Sequence, residues 1–146
     1  MMFKTGVKFA AALMGVAGMT LAVGILPAVG QASVPVAGIK LKAPGLVADR
    51  GAVVFESVLI ACPAGDEPNV SIEITERSGN AIAQGDAGVN PVCTGGIQTV
   101  SLAVTPVNKP FVVGTAFAQA EIFDCGPFGC AQATSQGNLK LKLKAK

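Results

Sequence analysis

Residues 70–76, Val-Ser-Ile-Glu-Ile-Thr-Glu, alternate between apolar and polar side chains with a period of two. This is the period of a β-strand with one buried face and one solvated face. The same alternation recurs in residues 100–104 and 139–144. Less regular strand-like runs cover residues 36–42, 52–62, 81–84, 115–124 and 130–134. Beyond residue 33 no segment offers a helical pattern free of Gly and β-branched runs, so the chain is predicted to be all-β.

Turn signals rich in Gly, Pro, Asn and Asp separate these runs. They lie at residues 43–45, 49–51, 63–66, 77–80, 90–91, 94–96 and 108–110. About seven strands in about 110 residues is the size and spacing of an immunoglobulin-like Greek-key sandwich. A six-stranded barrel is the alternative. The chain has no Trp, so a relationship to antibody domains, which bury a Trp beneath their inter-sheet disulfide, is not implied.

The amino terminus has the three-part pattern of a secretory signal peptide. Lys4 and Lys8 precede a run of small and apolar residues from Ala10 to Leu26, and Gly30 and Ala32 place small residues at alternate positions. We therefore predict a signal peptide over residues 1–32 and one secreted domain over residues 33–146. The alternative is an uncleaved membrane anchor. In the predicted mature chain we expect no membrane span.

Charge is unevenly distributed along the predicted mature chain. Removal of Lys4 and Lys8 lowers the 11 basic residues to nine, which balances the nine acidic residues. All nine acids lie between Asp49 and Asp124, whereas both termini are basic. A neutral mature chain gives no indication of nucleic-acid binding, and no nucleic-acid partner is expected.

The four Cys all lie beyond the predicted leader, and an even number in an exported chain indicates two disulfides. Three pairings are possible. Cys125 and Cys130 enclose a short loop with Gly126, Pro127 and Gly129 that suits a local closure, which leaves Cys62 for Cys93. We predict these two bonds.

Composition excludes the common hydrolases, because the chain has no His to serve as a general base. Glu73 and Glu76 lie on opposite faces of a strand and cannot form a local acid/base pair. The loop 66–69, Asp-Glu-Pro-Asn, could offer oxygen ligands to calcium but lacks the ligand number of a known calcium loop. We expect no enzymatic activity, no metal and no cofactor.

The order of motifs resembles that of small secreted sandwich domains of unknown function from high-GC Gram-positive bacteria. The residues concerned are Ala61-Cys62-Pro63 at a strand end, Cys93-Thr94-Gly95 before a long strand, an Ala-rich strand with Ala116, Ala118 and Ala120, and Asp124-Cys125 followed by Cys130-Ala131-Gln132-Ala133. The resemblance covers nearly the whole predicted mature chain. It implies a sandwich fold and export in bacteria, because that family has no assigned activity.

The closing segment is also similar to neocarzinostatin-type chromophore carriers. It comprises Asp124-Cys125, Cys130 after four intervening residues, and Gly137-Asn138 before the final strand-like run. In those carriers the other disulfide closes a short loop, whereas Cys62 and Cys93 are far apart here, so no ligand-binding residue is transferred. This similarity implies an alternative function, a carrier of a small apolar ligand.

Alternating lysines are the first candidate binding feature. Lys140, Lys142 and Lys144 project from one side of the last strand, with Leu139, Leu141 and Leu143 on the other, and Lys40 and Lys42 repeat the pattern near the start. One interpretation is that the lysines keep an exposed edge strand from pairing with another molecule. The other is a basic stripe for an anionic envelope polymer, lipid head groups or an acidic secreted protein.

The predicted hairpin loop of residues 125–130 is the second candidate. Loops at the end of a rigid sandwich often hold binding residues, and Phe128 is the large apolar side chain of this loop. Pro127 and the disulfide would limit the freedom lost on binding. Phe128 is therefore predicted to be either a recognition tip or a side chain folded into the core. The sequence favours a secreted, non-catalytic binding or envelope-associated structural module.

Overall fold

A computed structural model describes residues 36–127 and 129–145. The predicted signal peptide, residues 1–32, lies outside the described residues, and so does Phe128. Within the described part of the chain, no helix has the length and apolar character needed to cross a bilayer.

Seven strands make up the fold of the described residues, which confirms the all-β class and the strand count. They are β1 (Gly38–Ala48), β2 (Val53–Ala61), β3 (Asn69–Ser78), β4 (Ala81–Val89), β5 (Ile97–Pro106), β6 (Gly114–Gly126) and β7 (Gly129–Leu143). A single 3-10 turn, Asp49–Gly51, joins β1 to β2.

The strands form one closed sheet in the order β1-β2-β5-β4-β3-β6-β7. Closure depends on two short ladders. The parallel pairing of β1 with β7 spans Gly45–Val47, and the antiparallel pairing of β4 with β5 involves only Gly85 with Pro106 and Asp86 with Thr105. An open two-layer sandwich would lack these links, and the closed sheet has seven strands, where the barrel alternative expected six.

β1 takes part in both ladders because its course changes in the middle. Its first half pairs with β2 up to Lys42, and the register shifts before Leu46, which lets the second half also reach β7. The Ala43–Pro44 peptide bond is cis. The predicted turn at residues 43–45 is therefore wrong: these residues are an irregularity inside one strand.

β7 is longer than the sequence indicated. Residues 130–134 and 139–144 were expected as separate runs around Gly137-Asn138, but β7 pairs with β6 without interruption, with Gly137 opposite Ala118 and Asn138 opposite Phe117. Because the ladder supplies backbone hydrogen bonds at every step, Gly and Asn are tolerated inside the strand.

The inward faces of the strands form one apolar core. Its members include Val54, Val58, Ile72, Ile74 and Leu141. Phe111, in the loop between β5 and β6, is 1% exposed, and its N–H donates to the carbonyl oxygen of Gly51 over 2.9 Å. Gly51 has a φ of 90°, and a Cβ atom there would collide with the backbone of Phe111. The close approach thus requires glycine.

Candidate functional site: the lysine seam and its surroundings

The structure places β1 beside β7, the two strands that carry the basic segments of the sequence, and their ladder begins at Gly45, three residues after Lys42. We call Lys40, Lys42, Lys140, Lys142 and Lys144 the lysine seam. All five side chains are exposed. Leu46 pairs with Lys142, and the Lys144 N–H donates to the Val47 carbonyl oxygen over 2.9 Å, which continues the parallel pairing past the end of β7.

The alternation of Leu and Lys in β7 sets the direction of the seam. Leu139 and Leu141 are buried in the core, so Lys140 and Lys142 must point to solvent. Leu143 departs from the predicted inward face: it is 73% exposed, because the strand ends there and the core no longer covers it.

No carboxylate belongs to either strand of the seam, since β1 and β7 contain neither Asp nor Glu. The neighbouring β2 has a single acid, Glu56, whose side chain is buried, and the outward acid of the neighbouring β6, Glu121, accepts a hydrogen bond from Gln132 of β7. An exposed row of lysines without interspersed acids produces a local positive potential that attracts polyanions.

The pairing also bears on edge protection. Lys140 pairs with Thr115 of β6 and Lys142 pairs with Leu46 of β1, and Leu141 between them pairs with both strands. Edge protection by Lys140 and Lys142 therefore stays a prediction. Lys40 and Lys42 lie on the half of β1 that pairs with β2 alone, where edge protection applies.

At one end of the seam, Lys144 lies over an aromatic ring. Its Nζ atom is 4.0 Å from the centroid of Phe55, a cation–π distance. A groove of about 370 Å³ next to this pair is lined by Asp49, Arg50 and Leu143 as well. This end of the lysine seam thus holds one further basic side chain, Arg50, and one acidic side chain, Asp49.

A second groove lies on the outer face of β3, β4, β6 and β7. It has a volume of about 560 Å³ and is lined by Phe117, Thr75, Arg77, Ile82 and Asn138, among others. Phe117 is 46% exposed. Side chains from four neighbouring strands thus form a surface concavity around one aromatic ring.

Both predicted disulfides are confirmed. The Cα atoms of Cys62 and Cys93 are 5.7 Å apart, and those of Cys125 and Cys130 are 4.0 Å apart. The first bond is buried and the second is exposed. Cys125 and Cys130 are directly opposite in the β6–β7 ladder.

The hairpin that Cys125 and Cys130 close projects beyond the neighbouring strand. The ladder between β3 and β6 ends with Asn69 opposite Phe123, whereas β6 and β7 remain paired as far as Gly126 and Gly129. Pro127 is exposed at the turn. The role predicted for Phe128, tip or core side chain, stays a prediction because this residue lies outside the described part of the chain.

Three buried carboxyl groups were not anticipated. Glu56, Glu76 and Asp124 are at most 2% exposed. Glu76 Oε2 accepts a hydrogen bond from the Val112 N–H over 2.8 Å. The alternation of side chains along a strand indicates that Glu56 and Glu76 are buried. Glu56 shares its face with buried Val54 and Val58, and Glu76 shares its face with Ile72 and Ile74.

Asp124 lies at the end of the sheet that holds both disulfides. Burial raises the pKa of its carboxyl group, and the charge of Asp66 from the loop before β3 raises that pKa further. Its Oδ2 atom has no hydrogen-bond partner. Among residues 36–127 and 129–145, no group of three or more Cys, Asp or Glu side chains is arranged to hold a metal ion.

Comparison with known proteins gives little sequence similarity. No protein-family model matches the chain. No curated protein matches its sequence. The fold is similar to AggA, the major subunit of aggregative adherence fimbriae type I from Escherichia coli, with 11% identity, a TM-score of 0.39, and coverage of 77% of this chain and 97% of AggA. A TM-score this low supports no conclusion about this chain's activity or partners.

Proposed function

We propose that the protein is a secreted, non-catalytic binding module whose lysine seam holds an anionic polymer of the cell envelope. The observation that supports this most directly is the adjacency of β1 and β7, since each strand carries exposed lysines and no carboxylate although the two basic segments are some hundred positions apart (Lys42 and Lys142). Envelope polymers and lipid head groups share phosphate chemistry, and a row of lysines attracts both.

The arrangement favours an extended polyanion over a compact ligand. The lysine seam follows the strand direction, and exposed side chains on one strand face repeat about every 6.6 Å, twice the rise per residue. A linear polymer with regularly spaced charges can contact several of these lysines at once. The two disulfides would hold the fold in an extracellular environment, where thiols are oxidised.

Binding to three probes tests this proposal. We expect retention on immobilised polyphosphate that weakens as salt is added, because exposed charges are screened. Phosphatidylglycerol vesicles test the lipid source of phosphate, and polyglutamate tests an acidic protein partner. Preferential retention on polyphosphate supports an anionic polymer as the partner. Stronger binding to the vesicles would instead indicate a lipid surface, and stronger binding to polyglutamate would indicate an acidic protein.

A double variant locates the site. Lys140→Gln with Lys142→Gln removes two charges from the lysine seam, and Arg77→Gln with Lys109→Gln removes two charges from exposed positions elsewhere. We expect the first pair to lose retention and the second to keep it, with circular dichroism confirming the fold of both. Equal retention by the two variants would contradict the proposal.

Export and the finer fold description belong to the same proposal. If residues 1–32 are removed on secretion, the intact mass of protein from culture medium corresponds to a chain that begins at Ser33. Recovery of the full-length chain from membranes would favour the anchor. The pairings of β2 with β5 and of β3 with β6 support an immunoglobulin-like Greek-key order within the closed sheet.

The second candidate function is a carrier of a small apolar ligand. The supporting observation is the groove around Phe117, because its volume of about 560 Å³ lies in the range of small-molecule sites. An environment-sensitive apolar dye should then gain fluorescence with the protein and lose the gain in Phe117→Ala. Phe123→Ala is the matched control, since Phe123 is also 46% exposed on β6 but does not line the groove. An equal dye response in both variants would exclude this function.

A further inference from the structure

The edge of β5 that faces away from β2 is largely unpaired. β5 pairs with β2 over residues 97–104. On its other side, within the described residues, it pairs with β4 only at Thr105 and Pro106. The Gln98 side chain hydrogen-bonds to the backbone of Val92 and Thr94, which places the loop before β5 near its start. Residues 99–104 are left as a free edge.

The orientation of the backbone on this edge follows from the neighbouring ladder. The Val107 N–H donates to the Gln84 carbonyl oxygen over 2.8 Å, so Val107 directs its backbone groups toward β4. Alternate residues of an antiparallel strand direct their N–H and C=O groups to the same side. The backbone groups on the β4 side of β5 therefore include those of Thr99, Ser101 and Ala103. Without a strand partner, these groups are available to another strand.

The free edge lacks the features that keep edge strands from associating. Native sheets use Lys, Pro, bulges or very short strands for this purpose. Residues 99–104, Thr-Val-Ser-Leu-Ala-Val, contain neither charge nor Pro, and their pairing with β2 is regular. Val100, Leu102 and Val104 are buried, while Thr99, Ser101 and Ala103 are exposed. The lysines, in contrast, lie on β1 and β7.

The edge of β4 is less suited to pairing. The loop after β5 covers its first half, since Val107 and Asn108 hydrogen-bond to the backbone of Gln84. Its remaining residues include the charge of Asp86 and the flexible Gly88. Of the two strand edges that face each other at this position, that of β5 is therefore the unprotected one.

We propose that two copies of this chain associate through antiparallel pairing of their β5 edges. A two-fold axis perpendicular to the sheet keeps both buried faces on the same side, and at the register with the greatest overlap Ser101 lies opposite Ser101 of the second copy. The outward residues that pair with this part of β5 are Phe55, Ser57 and Leu59 on β2, none of which is charged. Edge-to-edge contact therefore brings no like charges together, and the isologous interface closes at two copies.

Sedimentation velocity of the purified protein at increasing concentration tests the pairing. An edge ladder of this length buries less surface than a standard stable interface, so we expect a shift from one copy to two at high concentration. A monomer at every concentration would overturn the proposal, and so would continuous growth beyond two copies, because the proposed interface closes at the dimer.

A charged variant assigns the interface to β5. Thr99→Lys with Ser101→Lys places lysines opposite each other across the two-fold axis, where like charges destabilise the ladder. Thr134→Lys with Gln136→Lys adds the same charge at two exposed positions of β7. We expect the β5 variant to remain monomeric and the β7 variant to dimerise like the unmodified protein. A dimer in the β5 variant, or loss of the dimer in both variants, would refute the assignment.

Hydrogen exchange gives a second measurement that requires no substitution. The N–H groups of Thr99, Ser101 and Ala103 should exchange more slowly as concentration rises, while exposed amides of the loop after β5 should not change. Unchanged exchange at these three residues in a dimer would place the interface elsewhere. Both measurements are made without polymer, so their outcome does not depend on polymer binding by the lysine seam.

Discussion

Glu56 provides a sharp test of how the core is assembled. Its side chain is 0% exposed, and neither carboxyl oxygen has a hydrogen-bond partner. It lies beneath Gly45, at the point where β1 reaches β7: a Cβ atom on Gly45 would be 2.8 Å from Oε2. Burial raises the pKa of Glu56 from 4.5 to about 7, although nearby backbone N–H groups of Ser57 and Lys42 counteract part of the rise.

The sign of the pH effect follows from this raised pKa. Below pH 4.5 Glu56 is protonated in the folded and the unfolded chain, so it adds no pH dependence to the free energy of unfolding. Between pH 4.5 and about 7 the unfolded chain releases the proton while the folded chain retains it, and the free energy of unfolding falls as pH rises. The interval corresponds to about 3 kcal/mol, at about 1.4 kcal/mol per pH unit.

Glu56→Gln should remove this dependence, because the amide resembles the protonated acid and does not titrate. We expect the variant to have nearly the stability of the unmodified protein at pH 4.5 and to exceed it by up to about 3 kcal/mol at pH 8. Urea unfolding followed by circular dichroism across this pH range measures the difference.

Glu67→Gln is the matched control, since it makes the same chemical change at an exposed loop position. The control should follow the pH profile of the unmodified protein. If Glu56→Gln follows that profile as well, or is less stable at pH 8, the carboxyl group is not the buried unpartnered acid described here.

Three other substitutions test the packing. Asp124→Asn should gain stability relative to the unmodified protein as pH rises above 3.8, because burial raises the pKa of Asp124 and the folded state then holds its proton more tightly; unfolding at pH 3.5 and pH 8 measures this. Phe111→Ala should cost about 3–5 kcal/mol in urea unfolding, because the ring is 1% exposed and the loop cannot refill its space. Gly45→Ala should lower the melting temperature, with a loss of about 1–3 kcal/mol, because its Cβ would lie 2.9 Å from Leu141 Cδ2.

The strands could be predicted from sequence where one face is buried and the other solvated. Residues 70–76 alternate because β3 has the core on one side, and β3 extends over Asn69–Ser78. The same parity places Glu56 and Glu76 on buried faces, although a carboxyl group among apolar neighbours contradicts the usual preference for solvent. Side-chain type alone would place these two carboxyl groups on the surface, whereas their position in the alternation places them on the buried face.

The closure of the sheet could not be predicted, because it depends on contacts between segments far apart in sequence. The register shift between Lys42 and Leu46 lets β1 pair with both β2 and β7, and the local signal there, Ala-Pro-Gly, is the same as that of a turn. The adjacency of Lys142 and Leu46 is likewise a property of the fold. The alternation of Lys and Leu specifies which side chains are exposed, but not which strands are neighbours.

The parallel pairing of β1 with β7 has a mechanical consequence. Tension between the chain before β1 and the chain after β7 is directed along both strands, so the pairs Gly45–Leu141, Leu46–Lys142 and Val47–Leu143 are loaded in shear and must break together. In an antiparallel hairpin pulled from its open end, each pair would break in turn. Neither disulfide crosses this junction, since one joins Cys62 to Cys93 and the other closes the β6–β7 turn. Resistance to pulling therefore depends on the hydrogen bonds beside the lysine seam, and single-molecule extension would register their loss as one rupture.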